Sequence, residues 1–288
     1  MKFTDEQNAI DRIDALIIDD YNSEPDRDYL GMSQIGSSCE HKLWYSLRWI
    51  DDNNFDVPTL RRFQSGHDGE EYLIKQFEQV DIGFEAFDEN GKQFRFTDFG
   101  GLYSGSCDGI AYRLPPMNTP AIFEAKVVNE KSFRELKQLV KSDPTNALMN
   151  WNPTYYGQGM SYCKYAGIGL HWLVVATPGC REIQQVFTEL DETVAKNLTS
   201  RAARIITSRD INELTKISSS ASWYECKMCS FTEVCHYGKE YKKTCRSCDY
   251  GHFDLSTGGF DCSYHNERID IDRQRTGCDK YKVLNNGM

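Results

Sequence analysis

The sequence predicts an α/β core, in which a central mixed sheet is flanked by helices, followed by a small cysteine-rich tail. Two observations predict the core: three stretches rich in β-branched and aromatic residues lie between residues 93 and 128, and helical stretches precede and follow them. A third observation predicts the tail, because apolar periodicity stops near residue 221 and closely spaced cysteines follow. A chain of 288 residues is long enough for such a core with a smaller module attached.

The first half of the chain passes from helices to strands. Apolar residues three or four apart predict helices over 4–20, 40–49 and 59–80. Alternating β-branched and aromatic residues then predict strands over 93–99, 102–113 and 121–128. Glycine and proline pairs separate these strands, as is typical of turns.

The second half alternates helices with strands. Helices are predicted over 131–141 and 153–165, since Pro153 is acceptable in a first helical turn. Strands over 169–176 and 182–187 are separated by a Pro-Gly turn. The last helix is predicted over 191–208, with Asp191 as its N-cap.

Composition and charge exclude some classes of protein. No apolar run approaches the roughly 20 residues that span a bilayer, so no membrane association is expected. The first residues lack the apolar core of a secretion signal, which predicts a cytoplasmic protein of a bacterial or phage-infected cell. A net charge of −10 argues against a protein that simply coats nucleic acid. Segment 126–141 nevertheless holds five basic and two acidic residues, as a local basic groove would.

Two apolar segments carry carboxylates in order. Asp108 follows Gly105-Ser106-Cys107, and Glu124-Ala125-Lys126 comes after 15 intervening residues. Strand periodicity places Glu124 and Lys126 on one face, and a neighbouring strand can bring Asp108 beside them. Two carboxylates suit Mg²⁺ or Mn²⁺, while the lysine can orient a water or stabilise phosphate charge. Each motif alone also fits salt-bridged strand residues.

A later helix extends this pattern. Gln158 and Tyr162 lie four residues apart and therefore share one helix face. With them the chain resembles the RecB-like branch of PD-(D/E)XK nucleases, whose signature continues with a helical Gln-x-x-x-Tyr. Cys107 stands where the family name has a proline.

The resemblance implies a restriction-endonuclease-like core and a set of residue roles. Asp108 and Glu124 bind the metal with the Ala125 carbonyl, Lys126 acts in catalysis, and Gln158 of the Gln-Tyr motif orients the lysine or the DNA. On the upstream helix, the resemblance assigns His67 as a metal ligand and Glu70 as a further member of the site. The alternative for His67 is a place on an exposed polar helix face.

Eleven cysteines in a chain of this kind point to metal binding, because cytosolic thiols stay reduced. Cys226, Cys229 and Cys235 leave a four-thiolate site one ligand short, and Cys39 is the only cysteine in the N-terminal third. Spacing alone does not separate zinc from iron, and a lone Cys39 also fits a small buried apolar residue. One cysteine before the core and three after it resembles the iron–sulfur subgroup of RecB-like nucleases, which includes the CRISPR-adaptation and AddB nucleases. This resemblance implies a 4Fe–4S cluster.

A second cysteine group in the tail resembles a zinc ribbon. Zn²⁺ needs four ligands, and five candidates are present. The favoured set is Cys245, Cys248, Cys262 and Cys278, with His265 as the alternative fourth ligand. Cys107, Cys163 and Cys180 are assigned to packing, and His171 is expected to be a hydrogen-bonded strand residue.

Basic side chains recur at helical spacing after the active-site strand. They are Lys131, Arg134, Lys137 and Lys141. The stripe fits either phosphate contacts or a solvated helix face.

These features together predict a nuclease domain over 1–240 and a zinc-binding tail over 241–288. The predicted reaction is Mg²⁺- or Mn²⁺-dependent hydrolysis of DNA phosphodiesters in repair, recombination or phage and defence DNA processing. The resemblance implies an exonuclease on single-stranded or end-containing DNA. Candidate protein partners are a helicase, a recombinase or a single-strand-binding protein, and the sequence does not choose among them. One alternative is a module that metal sites stabilise and that binds nucleic acid without cleaving it. The other alternative is an RNA nuclease.

Overall fold

The predicted α/β architecture is confirmed by a computed structural model, which describes residues 8–52, 55–116 and 118–284. The helices are α1 Ala9–Ser23, α2 Glu40–Leu47, α3 Val57–Phe77, α4 Glu130–Ser142, α5 Ala147–Trp151, α6 Pro153–Ala166, α7 Glu192–Thr207, α8 Tyr224–Lys227, α9 Thr232–Tyr237 and α10 Ile271–Gln274. The strands are β1 Leu30–Gly31, β2 Phe84–Glu85, β3 Arg95–Asp98, β4 Tyr103–Ser106, β5 Gly109–Leu114, β6 Thr119–Val127, β7 Leu170–Ala176, β8 Ile183–Glu189, β9 Gly251–Asp254, β10 Gly259–Cys262 and β11 Glu267–Arg268. Residues 4–7 of the first predicted helix lie outside the described residues. None of the helices in the described ranges has the length and apolar character to cross a membrane.

The central sheet is mixed and has five strands in the order β2-β5-β6-β7-β8. β6 and β7 run parallel, and the other pairs are antiparallel. The middle of β6 and all of β7 are buried, which explains their nearly continuous apolar sequence. The register places Glu124 opposite Leu173 and Lys126 opposite Val175.

The strand predicted over 102–113 is wrong in one respect, because it is broken in two. β4 belongs to a second sheet of order β1-β4-β3, whereas β5 belongs to the central sheet. Cys107 and Asp108 form the break, and the Asp108 carboxylate accepts a hydrogen bond from the Ala125 N–H at 2.9 Å. A side chain that bonds to backbone in this way competes with the strand ladder. Alternation of residue types continues through the break and cannot reveal it.

Local capping sets the start of the helices that surround the site. The Asn129 side chain accepts from the Ser132 N–H and begins α4. Asn152 accepts from the N–H groups of Thr154 and Tyr155, so α6 begins at Pro153. The predicted N-cap Asp191 is confirmed, because it accepts from the first turn of α7.

Helices cover both faces of the central sheet. On one face, Leu73 of α3 packs in a cluster with Phe123 and Trp172. On the other face, Phe133 of α4 packs in a cluster with Leu173. The carboxyl end of β6 therefore emerges between helices, and this is where the predicted site residues lie.

The cysteine-rich tail packs into the same core as the N-terminal helices. Phe253 and Phe260 share a cluster with residues of α2. Arg246 is only 2% exposed, stacks 3.8 Å from the centre of the Trp49 ring and donates to the Leu47 carbonyl at 2.8 Å. Packing therefore continues across residue 240. The boundary predicted there stays a prediction, and it separates the two cysteine groups rather than two separately packed cores.

Candidate active site

Glu124 is the buried centre of the candidate site. Its side chain lies on β6 and is almost completely buried. One carboxylate oxygen, Oε2, accepts from Gln158 Nε2 at 2.8 Å and from Lys126 Nζ at 3.0 Å. The other oxygen, Oε1, is buried without a hydrogen-bond partner in the described part of the chain. Burial and the charge of Asp108 raise the pKa of Glu124 well above its ordinary value.

The Lys126 ammonium lies at the point where the oxygen groups converge. Its Nζ donates to the Ala125 carbonyl at 2.6 Å and to Glu124 at 3.0 Å. It also lies 3.5 Å from Glu70 Oε1 and 3.6 Å from Asp108 Oδ2. Burial lowers the pKa of Lys126, but the three carboxylates outweigh burial and raise the pKa well above its ordinary value. The lysine is therefore a fixed positive charge within a cage of oxygens.

The break between β4 and β5 places Asp108 at the rim of this cage. Strand pairing brings Gly109 opposite Phe123, so Asp108 lies beside the Glu124-Ala125-Lys126 segment. A Cβ atom on Gly109 would lie 2.7 Å from the Phe84 ring, so only glycine fits between β5 and β2 here.

Helix α3 contributes Glu70, while His67 stays at the surface. The Glu70 side chain is 22% exposed, and burial raises its pKa although Lys126 acts in the opposite direction. The His67 side chain is 70% exposed, and its Nδ1 lies 3.6 Å from Glu70 Oε2. Gly69 allows α3 to approach β6, because an added Cβ would meet Val127 at 2.6 Å.

Helix α6 contacts the site through Gln158, which donates to Glu124. Gln158 lies between Glu124 and Tyr162, since its Nε2 is 3.5 Å from the Tyr162 hydroxyl. Tyr162 lies against Gly105 of β4, where an added Cβ would be 2.7 Å from its ring. Tyr155 lies on the same side of α6, although sequence reasoning missed it. Its spacing of three residues from Gln158 is the signal that could have found it.

The first cysteine group lines one cavity of about 220 Å³. Cys39 reaches this cavity from the start of α2, whereas Cys226, Cys229 and Cys235 reach it from α8, α9 and the residues between them. The pKa of Cys226 is raised by burial and then by the nearby thiols of Cys39 and Cys235. Four thiols thus face one space from opposite ends of the chain.

The second group lines a smaller cavity of about 60 Å³, in the tail. Its donors are Cys245, Cys248, Cys262, His265 and Cys278. The Cys278 sulfur lies 3.8 Å from His265 Nε2, so both alternative ligands face the same space. Burial, followed by the other three thiols, raises the pKa of Cys245 to about 11.

The candidate metal ligands do not converge on a common position among the described residues. Over 8–52, 55–116 and 118–284, no three side chains of His, Cys, Asp or Glu are close enough together to hold a metal ion. At the end of β6, the Lys126 ammonium itself makes the contacts with the carboxylate oxygens.

Other predicted assignments are partly confirmed. Cys107 and Cys163 are buried, as packing residues should be, and Cys180 is half-buried. His171 lies in β7, but the expectation that it is hydrogen-bonded is wrong. Neither of its ring nitrogens has a partner among the described residues, because its ring packs directly against Gly159.

The basic stripe lies on the exposed face of α4. Lys131, Arg134, Lys137 and Lys141 are all exposed. Lys137 lies 3.1 Å from Glu182, so part of its charge is compensated within the protein. Exposure fits both the phosphate-contact and the solvated-face interpretations.

Comparisons with known proteins give weak likenesses. No family model and no curated protein matches the chain. The solved structure of SSO0001 is 14% identical and covers 80% of this chain and 97% of its own, with a TM-score of 0.46. An alkaline exonuclease from Laribacter hongkongensis is 13% identical over 68% of this chain and 90% of its own, at a TM-score of 0.41. A phage-related exonuclease from Haemophilus somnus 129PT is 15% identical over 50% and 68%, at a TM-score of 0.35. At this level the likenesses do not establish a family.

Proposed function

We propose that the protein is a Mg²⁺- or Mn²⁺-dependent deoxyribonuclease of the RecB-like PD-(D/E)XK type, which hydrolyses phosphodiester bonds as an exonuclease on single-stranded or end-containing DNA. One observation carries the proposal: three carboxylates and a backbone carbonyl surround a single cationic position at the end of β6. Hard oxygen donors of this kind are the ligands that Mg²⁺ and Mn²⁺ prefer. The preference for DNA ends and for single strands rests on the resemblance alone.

The oxygen donors around Lys126 suit a divalent cation by their chemistry, and they would have to move closer together to bind it. Glu124 Oε1 is buried and has no hydrogen-bond partner within the described ranges, and such a carboxylate oxygen is costly unless a cation or donor meets it. Asp108, Glu124, Glu70 and the Ala125 carbonyl would hold the cation, with His67 as a further ligand from the rim. When bound, the cation would polarise the phosphate and make its own water more acidic.

The protein side chains then have separable tasks. Gln158 donates to Glu124 and keeps its carboxylate turned toward Ala125 and Lys126. Lys126 supplies a positive charge that orients a water molecule or stabilises charge on the scissile phosphate. The Tyr162 hydroxyl accepts from the Gln158 amide and helps to hold it in place. The exposed lysines and Arg134 of α4 contact neighbouring phosphates.

We propose a 4Fe–4S cluster for the first cysteine cavity and Zn²⁺ for the second. A single zinc ion binds sulfur at about 2.3 Å, so four thiolates around it leave little free volume. The cavity of about 220 Å³, which Cys39, Cys226, Cys229 and Cys235 line together with other residues, has more room for a polynuclear group than the tail cavity of about 60 Å³. The donor chemistry fits both groups, because thiolates bind zinc and iron–sulfur clusters alike.

The proposed chemistry is tested by degradation of end-labelled DNA with and without Mn²⁺. Wild-type protein should shorten the DNA only with the metal present. Asp108→Asn and Glu124→Gln should each lower the rate by on the order of 10³-fold or more, because each removes a ligand charge.

The matched control is Glu71→Gln, which removes an exposed carboxylate next to Glu70 that forms a salt bridge with Lys75. This variant should keep the wild-type rate. Cleavage at the wild-type rate by Asp108→Asn or Glu124→Gln would refute the assignment. A parallel RNA substrate separates the deoxyribonuclease from an RNA nuclease.

A further inference from the structure

The oxygen cage is poor in groups that can receive an anionic substrate. Lys126 donates to Ala125 and Glu124 and faces two more carboxylates, and the Gln158 amide donates to Glu124. A phosphodiester brings only acceptor oxygens to such a site. A hydrogen-bond donor beside Lys126 that does not already donate to a carboxylate would therefore add a contact for the phosphate.

Tyr155 lies where such a donor is required. It precedes Gln158 by three residues, so both side chains project from one face of α6. Gln158 fixes this face against Glu124, and Tyr162, one turn further on, lies against Gly105. Tyr155 lies toward the other end of the helix and packs on the same apolar cluster as Val128, which directly follows β6. The same cluster contains Leu173 and Val175, which pair with Glu124 and Lys126, so Tyr155 packs on the face of the sheet that carries both site residues.

The ring of Tyr155 packs against the ring of Trp151. Its centre lies 5.8 Å from that of Trp151, at an interplanar angle of 49°. Trp151 is itself fixed, because its indole N–H donates to the Ser132 carbonyl at 3.0 Å. The backbone N–H of Tyr155 is also fixed, since it donates to the Asn152 cap at 3.1 Å. Both the ring and its backbone are therefore pre-organised.

The charges of the site act on the Tyr155 hydroxyl. Burial raises its pKa, Lys126 lowers it, and Glu70 and Glu124 raise it further. The phenol therefore stays a neutral hydrogen-bond donor at physiological pH. The next residue, Tyr156, differs: after burial, the charge that acts on its pKa is that of Asp191, the N-cap of α7.

We propose that Tyr155 is a further substrate-contacting residue, whose hydroxyl donates a hydrogen bond to a phosphate oxygen of the bound nucleic acid beside Lys126. The inference rests on the proposed nuclease function and adds a residue to it. A hydrogen bond to an anionic phosphate oxygen is stronger than one to a neutral acceptor. The neutral phenol therefore favours phosphate binding and adds no negative charge to a site whose three carboxylates already repel the phosphate.

Tyr155→Phe and the matched control Tyr156→Phe test this role. Both remove one hydroxyl from adjacent positions of the same helix and keep the ring. On a fluorescent single-stranded oligonucleotide with Mn²⁺, Tyr155→Phe should lower kcat/KM by about 10- to 100-fold, as expected for a hydrogen bond to a charged group. Tyr156→Phe should stay within about twofold of wild type. Mn²⁺ affinity, measured by electron paramagnetic resonance, should be unchanged in both variants.

Two outcomes overturn the inference. Equal kcat/KM in the two variants would mean that the Tyr155 hydroxyl does not contact the substrate. A Tyr155→Phe protein that has lost Mn²⁺ affinity would mean that the residue acts through the metal ligands. A wild-type protein without cleavage would instead overturn the proposed function, and this inference with it.

Discussion

At the scale of single residues, Lys126 and the groups around it form one electrostatic unit. Its ammonium lies 3.0 to 3.6 Å from three carboxylates, and these groups are the ones assigned to the metal. A divalent cation that enters this cage meets a positive charge within a few ångströms. Binding of the cation therefore requires the lysine side chain to leave some of its present contacts.

Lys126→Met tests this competition directly, because the methionine side chain reaches as far as the ε-carbon of lysine and lacks the charged ammonium. We expect the variant to lose cleavage and to bind Mn²⁺ at least about tenfold more tightly than wild type. Titration calorimetry measures the affinity independently of turnover.

Lys131→Met serves as the control, since it removes an exposed lysine from α4. Its Mn²⁺ affinity should match wild type. Weaker Mn²⁺ binding by Lys126→Met would mean that the ammonium helps to hold the cage together for the metal.

At the scale of elements, α6 and β7 approach each other unusually closely at one point. A Cβ atom on Gly159 would lie 2.4 Å from His171 Nδ1, so the helix backbone rests on the imidazole ring. The contact is close to the face of α6 that meets Glu124, because Gln158 is the adjacent residue. His171 is fully buried, and burial lowers its pKa to about 3.

This buried histidine should make the protein sensitive to acid. The unfolded chain binds a proton at His171 below a pH of about 6.5, whereas the folded protein does so only near pH 3, so stability falls as the pH is lowered through this window. The cost at pH 5 should be about 2 kcal/mol. Urea unfolding at pH 7 and pH 5 measures it as a difference between wild type and His171→Leu.

His171→Leu retains a buried side chain of similar size and has no titrating group. The other acidic and basic groups contribute equally to both proteins, so the comparison isolates His171. An identical loss of stability in the two proteins between pH 7 and pH 5 would contradict a neutral, buried His171.

At the scale of the whole molecule, the two cysteine groups differ in the length of chain they connect. Cys39 precedes the central sheet and its three partners follow it, whereas the tail cysteines lie within one short segment. A salt bridge supports the long connection, because the buried Glu40, next to Cys39, lies 2.9 Å from Arg201 and also pairs with Arg204 of α7. The tail is tied to the core by packing as well, so point variants test the groups more cleanly than truncation.

Cys39→Ser and Cys262→Ser should separate the two metals. We expect Cys39→Ser to lose iron and to retain zinc, and Cys262→Ser to do the reverse, because no donor is shared between the cavities. Elemental analysis of anaerobically purified proteins gives both metals per chain. Cys163→Ser, a buried cysteine outside both cavities, should keep both.

Loss of both metals from either variant would mean that the groups depend on each other through the shared core. Zinc in both cavities of the wild type would refute the cluster and leave the ligands as assigned.

The sequence by itself determined the class of fold and the order of the site residues. Alternation predicted β6 and β7, helical spacing predicted α4 and α6, and the Asp191 cap was confirmed at α7. These features depend on interactions within a few residues, which a pattern in the sequence records directly. The resemblance assigned Gln158 to orienting the lysine or the DNA, whereas in the structure its amide donates to Glu124.

Only the tertiary structure decided the break at Cys107 and Asp108, the position of the Lys126 ammonium and the packing of the tail on α2. Each of these depends on contacts between residues far apart in the chain. Asp108 leaves its strand because the Ala125 N–H offers a partner from another strand, and Lys126 is held by carboxylates from α3, from β6 and from the break between β4 and β5. Residue types and spacing record what a segment prefers. Which distant charges and hydrogen-bond partners meet is set when the elements pack together.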